Sequence, residues 1–223
     1  MAEQTTLQLE KDLIRGGLIK YTRKAFHVLP KLDKPRILDV GCGSGIPTME
    51  LARLSNGQIT GLDINQSSLD RVVRKIETAG LSDRVKILKC SILDMDFPDG
   101  SFDIIWAEGS IWIIGFEKGL REWRRFLKPN GFLVVHDDAG NVTEKLEMVS
   151  NCGYNLLEHF ILGEDIWWME YFAPLEKLIK EIRARNVNSA KTLAELDHDQ
   201  MEIDMFKKNP GQYTSALFIM QKR

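Results

Sequence analysis

Nothing in this sequence supports a disulfide framework or a cysteine-built metal site. Its three cysteines, Cys42, Cys90 and Cys152, are odd in number and lack paired ligand spacing, which suits a reducing compartment. Charge of one sign is equally scarce: 30 Lys and Arg face 32 Asp and Glu, a net charge of −2, and no basic bias calls for a polyanion. The N/D-P-P-aromatic signature of nucleic-acid amino methylation is missing, and so is a Tyr-x-x-x-Lys pair. The opening MAEQTTLQLEKD is polar with mixed charge, so neither a signal peptide nor a membrane span is expected there, and the expected location is the cytoplasm. No internal repeat or low-complexity tract is visible. What remains is a chain of 223 residues, 43% hydrophobic, long enough for one well-filled domain with an elaboration.

What is present is concentrated at Ile37–Gly45, ILDVGCGSG. Ile37, Leu38 and Val40 suit a strand buried on both faces of a parallel sheet, with Pro35 marking its start. Gly41, Gly43 and Gly45 then permit close approaches and backbone angles that side chains forbid. A helix can begin at Ile46, with Pro47 in its first turn, where a missing N–H costs nothing. Strand, glycine turn and helix together place a ligand at the carboxyl end of the first strand, where open α/β sheets bind nucleotides. The segment Gln58–Asn65 reads as a second strand ending in Asp63, whose carboxylate can accept hydrogen bonds from both hydroxyls of a ribose. Asp63 also reads as an acid ahead of the amphipathic helix of Ser67, Leu69, Val72, Val73 and Ile76. Further strands are predicted near 85–89, 102–107 and 131–136. Helical patterns lie between them, such as Phe116, Leu120, Trp123 and Leu127, and Pro129 and Gly131 force a turn ahead of the fifth strand. Such alternation builds a parallel sheet covered on both faces. After Cys152 come a strand at 154–162, an aromatic-rich helical stretch, a polar helix and a final strand at about 213–220.

Spacing separates the cofactors. A dinucleotide fingerprint reads G-x-G-x-x-G, and Ile46 stands where its third glycine would fall. Asp39, Gly41, Gly43 and Gly45 instead resemble motif I of the class I S-adenosylmethionine-dependent methyltransferases, D/E-x-G-x-G-x-G. The LKPNG of Leu127–Gly131 resembles the same family, and Trp106–Ile111 (WAEGSI) followed by Ile114–Glu117 (IGFE) resembles its small-molecule subgroup. The resemblance runs from about Gly16 to the C-terminus and is specific for the cofactor, not for the acceptor. It implies a single domain over 1–223: a Rossmann-like α/β fold with a seven-stranded, mostly parallel sheet, the last strand antiparallel, and helices on both faces. A helical cap at about 1–34 and a substrate-covering helical insertion at about 163–211 complete it. It also implies S-adenosylmethionine as cofactor and a small-molecule acceptor, without nucleic acid or membrane, in a monomer or homodimer.

The cofactor residues so implied are Asp39, Gly41, Cys42, Gly43, Gly45, Asp63, Ile64, Ser91, Ile92 and Glu108. Many members carry an acid at the position of Ser91, near the adenine amino group. Serine can still make one hydrogen bond there, and the Ile92 N–H remains available. Glu108, where the fourth strand leaves the sheet, can orient the acceptor, take its proton or contact the cofactor's ammonium, and it also reads as a solvated loop acid. Trp112 reads as packing under that loop or as core. His136, ahead of Asp137 and Asp138, is a candidate base or a polar strand end. These three with Glu108 resemble, more weakly, a divalent-cation site, and no metal is assigned. Trp167, Trp168, Tyr171 and Phe172 read as a packing face, or as a roof over the acceptor. Arg15, Gly16, Gly17 and Tyr21 read as a hinge ahead of a closing helix, or as an ordinary turn. Two rivals stay open: an NAD-dependent oxidoreductase, and a non-catalytic S-adenosylmethionine-binding module.

Overall fold

The computed structural model describes residues 2–185 and 189–223, with side chains from Leu7 onward; Met1 and residues 186–188, within the expected cap and insertion, lie outside the described residues. The chain divides into two compact units, Tyr21–Ile161 with Ser215–Arg223, and Met1–Lys20 with Leu162–Thr214.

Seven strands make one sheet: β1 (Arg36–Val40), β2 (Gln58–Asp63), β3 (Val85–Lys89), β4 (Phe102–Glu108), β5 (Leu127–Asp138), β6 (Tyr154–Leu162) and β7 (Ser215–Lys222). Their order is β3-β2-β1-β4-β5-β7-β6. The five strands from β3 to β5 pair in parallel and β7 runs antiparallel to β5, as the family resemblance implies. The apolar run of β1 is buried on both faces, which an all-parallel centre requires. The chain reverses direction in sheet order on either side of β1 and β4, so the loops after β1, β2 and β4 open at one carboxyl edge.

The helices of this unit are α2 (Ile19–Val28), α3 (Ile46–Leu54), α4 (Gln66–Thr78), α5 (Phe116–Trp123) and α6 (Val142–Asn151), where α2 begins in the other unit. Leu69, Val72 and Ile76 form the buried stripe of α4, and its N-cap is Asn65, not Asp63; the Asn65 side chain accepts from Ser68 N–H. The helix α5 stops at Trp123, so Leu127 belongs to β5 and not to the helical face. The KPNG segment does not precede β5 but lies within it. The register with β4 jumps between Phe102↔Leu127 and Ile104↔Phe132, and Asn130 takes a left-handed φ of 59°. The turn signal of Pro129 and Gly131 is thereby absorbed as an irregularity of a longer strand. The final strand likewise starts at Ser215, after a short 3-10 turn at Pro210–Tyr213.

The second unit is helical: α1 (Ala2–Gly16), α7 (Glu164–Trp167), a π-helical turn at Trp168–Phe172, α8 (Ala173–Ala184) and α9 (Ala190–Lys208). Its aromatic run packs inward. Phe172 lies 4.5 Å from Phe206 between ring centroids, and Trp168 stacks on Phe206 at 5.8 Å. Gly16 and Gly17 end α1 in a tight turn, closed by Gly17 N–H on the Ile14 carbonyl at 3.0 Å. Lys11 on α1 reaches both carboxylate oxygens of Asp199 on α9 at 2.8 Å, a buried pair that fixes α1 against α9.

Candidate functional site

The glycine turn is shaped by its neighbours. Gly41 and Cys42 both donate their N–H to the Leu62 carbonyl at 2.9 Å, and Gly43 N–H donates to Asp63 Oδ2 at 3.0 Å. Three successive amides are thus spent on the end of β2. Gly41, with φ 75°, lies so close to Ser110 that a Cβ would stand 2.5 Å from that residue's Cβ. Gly45, with φ 81°, caps α3 and abuts Val72 of α4, where a Cβ would come within 2.0 Å of Cγ2. Gly43 also has a left-handed φ, 52°, but a Cβ there meets nothing within 4 Å. Two glycines therefore serve packing, and the middle one faces open space.

Carboxylates surround this turn. Asp39, buried on β1, accepts from Thr48 Oγ1 at 2.5 Å, so its side chain braces the first turn of α3 from below. Burial pushes the Asp39 carboxyl up to about 7, with Glu108 and Asp63 adding repulsion. Asp63 spends Oδ2 on Gly43 N–H and Oδ1 on Asn65 N–H at 2.8 Å, tying the turn to the start of α4. Glu108 receives Trp106 Nε1–H at 2.7 Å and Thr22 Oγ1–H at 2.8 Å, both on Oε1. Its burial raises the carboxyl above its ordinary value, against the lowering effect of those two donors. Ser110 Oγ donates to the Val40 carbonyl at 2.6 Å, clamping the chain after β4 to the end of β1.

The remaining predicted residues divide. Cys42 turns its thiol inward, packed near Gly61, and burial raises the thiol's pKa, so only its backbone lies in the turn. Ile64 is 65% exposed directly after Asp63. Ser91 caps the short turn Ile92–Asp94 by accepting from Leu93 N–H at 3.1 Å, and Ile92 is buried within reach of Gly41. His136 is the register partner of Glu108 across β4 and β5, but its Nε2 lies 2.7 Å from Ser215 Oγ. Burial lowers His136 to about 4, so the imidazole is neutral at pH 7. Asp137 and Asp138 both pair with Lys145, at 2.6 and 3.0 Å, which commits them to a cation the chain itself supplies. Trp112 is not core: it is 67% exposed, with its indole N–H on the Gly109 carbonyl at 3.0 Å. Thr22, Thr48, Trp106 and Ser110 are the supports that the sequence reading left without a role. Thr48, Trp106 and Ser110 carry a signal in their place within the quoted motifs or the first helical turn, whereas Thr22 carries none.

Residues 38–135 match the family model described as a methyltransferase domain. This matched stretch, less than half of the chain, resembles a class I S-adenosylmethionine-dependent methyltransferase domain. The chain is 38% identical over 103 residues to a sterol 24-C-methyltransferase of Gibberella zeae, covering 46% of this chain and 27% of that one. It is 29% identical over 134 residues to the 27-O-demethylrifamycin SV methyltransferase of Amycolatopsis mediterranei, covering 57% and 47%. The chain thus spans less than half the length of these curated relatives. A solved methyltransferase from Geobacter sulfurreducens, in complex with S-adenosylhomocysteine, superposes with a TM-score of 0.75 over 92% of this chain and 91% of its own, at 18% identity. That likeness is one of fold.

Two outcomes follow. Alanine at Gly45 should cost about 2–5 kcal/mol in urea unfolding, from a left-handed backbone plus an overpacked contact, whereas Gly43→Ala should cost only about 1–2 kcal/mol. Asp39, held at about 7 in the fold against an ordinary 3.8, contributes stability that is full below 3.8 and is lost as pH rises to about 7. Asp39→Asn keeps an acceptor for Thr48 and cannot ionise, so its melting temperature should rise relative to wild type across that window and then level off. His136, lowered from 6.5 to about 4, acts with the opposite sign, but it is common to both proteins and cancels in the difference.

Proposed function

We propose that this protein transfers a methyl group from S-adenosylmethionine to a small-molecule acceptor, releasing S-adenosylhomocysteine. The observation that carries the reading is the set of carboxylates around an open glycine turn: Asp63 at one side, Glu108 at the other and Asp39 beneath. A dinucleotide would bring a pyrophosphate dianion against them. S-adenosylmethionine brings instead an ammonium and a sulfonium, whose positive charge relieves the repulsion among the three acids. The residues present fit that group. Gly43 leaves room for backbone approach, Asp63 retains lone pairs for a ribose, and the exposed Ile64 and the Ser91–Ile92 turn offer an apolar and polar wall for a flat base.

When bound, S-adenosylmethionine supplies a methyl already activated by its positive sulfur. The chain's part is alignment, desolvation and proton handling. Asp39 positions the turn through Thr48 and α3. Glu108, with Oε1 held by Trp106 and Thr22, presents its second oxygen as the group that fixes the ammonium or takes an acceptor proton. Its raised pKa makes it a stronger proton acceptor than an ordinary carboxylate. His136 enters this reading as a neutral hydrogen-bonding group at the end of β5, because engagement with Ser215 and a value near 4 make it a poor base. The relatives named above act on a sterol and a rifamycin, and a small organic acceptor is the corresponding reading here. Free thiols at Cys42, Cys90 and Cys152 fit a reducing, cytoplasmic setting, and no described helix is long and apolar enough to cross a membrane.

Calorimetry with S-adenosylhomocysteine and NADH tests the cofactor. Wild type should bind only the first, and Asp63→Ala should weaken it about 10- to 100-fold, the worth of a hydrogen bond to a charged group. Glu108→Gln should keep the fold while lowering turnover of methyl-labelled S-adenosylmethionine against a metabolite pool. Binding of NADH alone would overturn the reading. Tight cofactor binding with no methylated product from any pool would favour the non-catalytic module.

A further inference from the structure

The two edges of the sheet are finished differently. At one edge β3 has five residues and carries exposed Lys86 and Lys89. Short, lysine-bearing edges resist pairing with another chain. At the other edge β6 has nine residues and no Pro, Lys or Arg, with Leu157 41% and Ile161 52% exposed. Among the described residues no strand pairs with its outer side. Such an edge offers a row of open N–H and C=O groups with apolar side chains beside them.

We propose that β6 is a homodimer interface, in which β6 of a second copy pairs antiparallel with it about a two-fold axis passing through His159, perpendicular to the sheet. That axis keeps each face of the sheet on its own side, so a residue can only meet one of the same alternation. Several registers place the axis near the middle of the strand, and one through Leu157 leaves Glu158 opposite an aliphatic residue, Leu156. An axis through Glu158 sets two carboxylates opposite each other, which is destabilising. One through Phe160 leaves Glu158 opposite an aliphatic residue, Leu162. With the axis through His159, Leu157 meets Ile161 of the second copy twice, on the face where His159 stacks on Phe218 at 6.4 Å. On the other face Glu158 meets the second copy's Phe160.

Charge complementarity selects this register. In each copy Lys24 Nζ sits 3.9 Å from the centroid of the Phe160 ring. Glu158 opposite Phe160 therefore lies beside the second copy's Lys24, and symmetry makes the contact twice. Lys24 and Glu158 are both exposed, and neither makes an ion pair within its own chain among the described residues. The assembly closes at two copies, because pairing consumes both β6 edges and leaves only the lysine-bearing β3 edges.

Sedimentation velocity of the full chain, over a concentration series reaching well into the micromolar range, tests this. Wild type should dimerise, Ile161→Lys should be monomeric throughout, and Glu158→Lys and Lys24→Glu should each raise the dissociation constant about tenfold or more. Mixing those two single variants should restore dimers, because every contact in the mixed pair again joins unlike charges. A monomeric wild type, a dimer indifferent to Ile161→Lys, or a mixture that fails to recover would each overturn the proposal. Melting temperature and S-adenosylhomocysteine binding check that every variant is folded. Should Ile161→Lys fail that check, the mixing experiment, which alters only exposed charged positions, still decides.

Discussion

The Leu62 carbonyl is the point on which the site depends. It accepts both the Gly41 and Cys42 amides, and the next residue, Asp63, takes the amide of Gly43. The turn after β1 is therefore a cast of the end of β2, and its shape follows from the register that sets Asp39 beside Gly61 and Val40 beside Leu62. Gly61 is part of the same constraint. A Cβ there would stand 2.9 Å from Ile87 Cδ1 and 3.1 Å from Cys42 Sγ, so the inward thiol and the bare backbone of β2 fit only together. From the other side Ser110 fixes the Val40 carbonyl. A ligand arriving at this turn finds backbone that is already placed.

That placement works against folding. Asp39 and Glu108 are carboxyls taken from water, and each is disfavoured in its charged form. The chain compensates with one or two donors each, Thr48 for Asp39 and Trp106 with Thr22 for Glu108, rather than with a neighbouring cation. Where no ligand is meant to enter, it does supply cations: Arg23 and Arg53 pair with the buried Glu50, and Lys145 with Asp137 and Asp138. The contrast distinguishes acids that hold elements together from acids left for something else to neutralise.

The strands were legible because their apolar runs are short and bounded by glycine, proline and polar turns. β1, β2 and β3 fall where the pattern put them, and β4 extends one residue further. The LKPNG segment departs from its pattern because Pro and Gly signal a break in local conformation, and they do not say whether the ladder resumes on the same strand. Within the site, the backbone-shaping glycines and Asp63 carried their own signal in spacing. Thr22 did not, since its partnership with Glu108 spans a sequence separation no periodicity encodes. The inward turn of Cys42 and the exposure of Trp112 depend on how neighbouring strands and loops close, which composition does not determine.

The order of the sheet has a kinetic consequence. β7, the last strand in sequence, is inserted between β5 and β6 and runs antiparallel to β5 over seven register pairs from Phe132 to Asp138. A nascent chain that has completed β6 without β7 therefore holds β5 with an open, apolar edge and β6 with no neighbour. Such pairing closes the longest loop in the unit, the step expected to be slowest. The interval before that strand arrives is when this protein is most exposed to mispairing, and chaperone demand during synthesis should concentrate there.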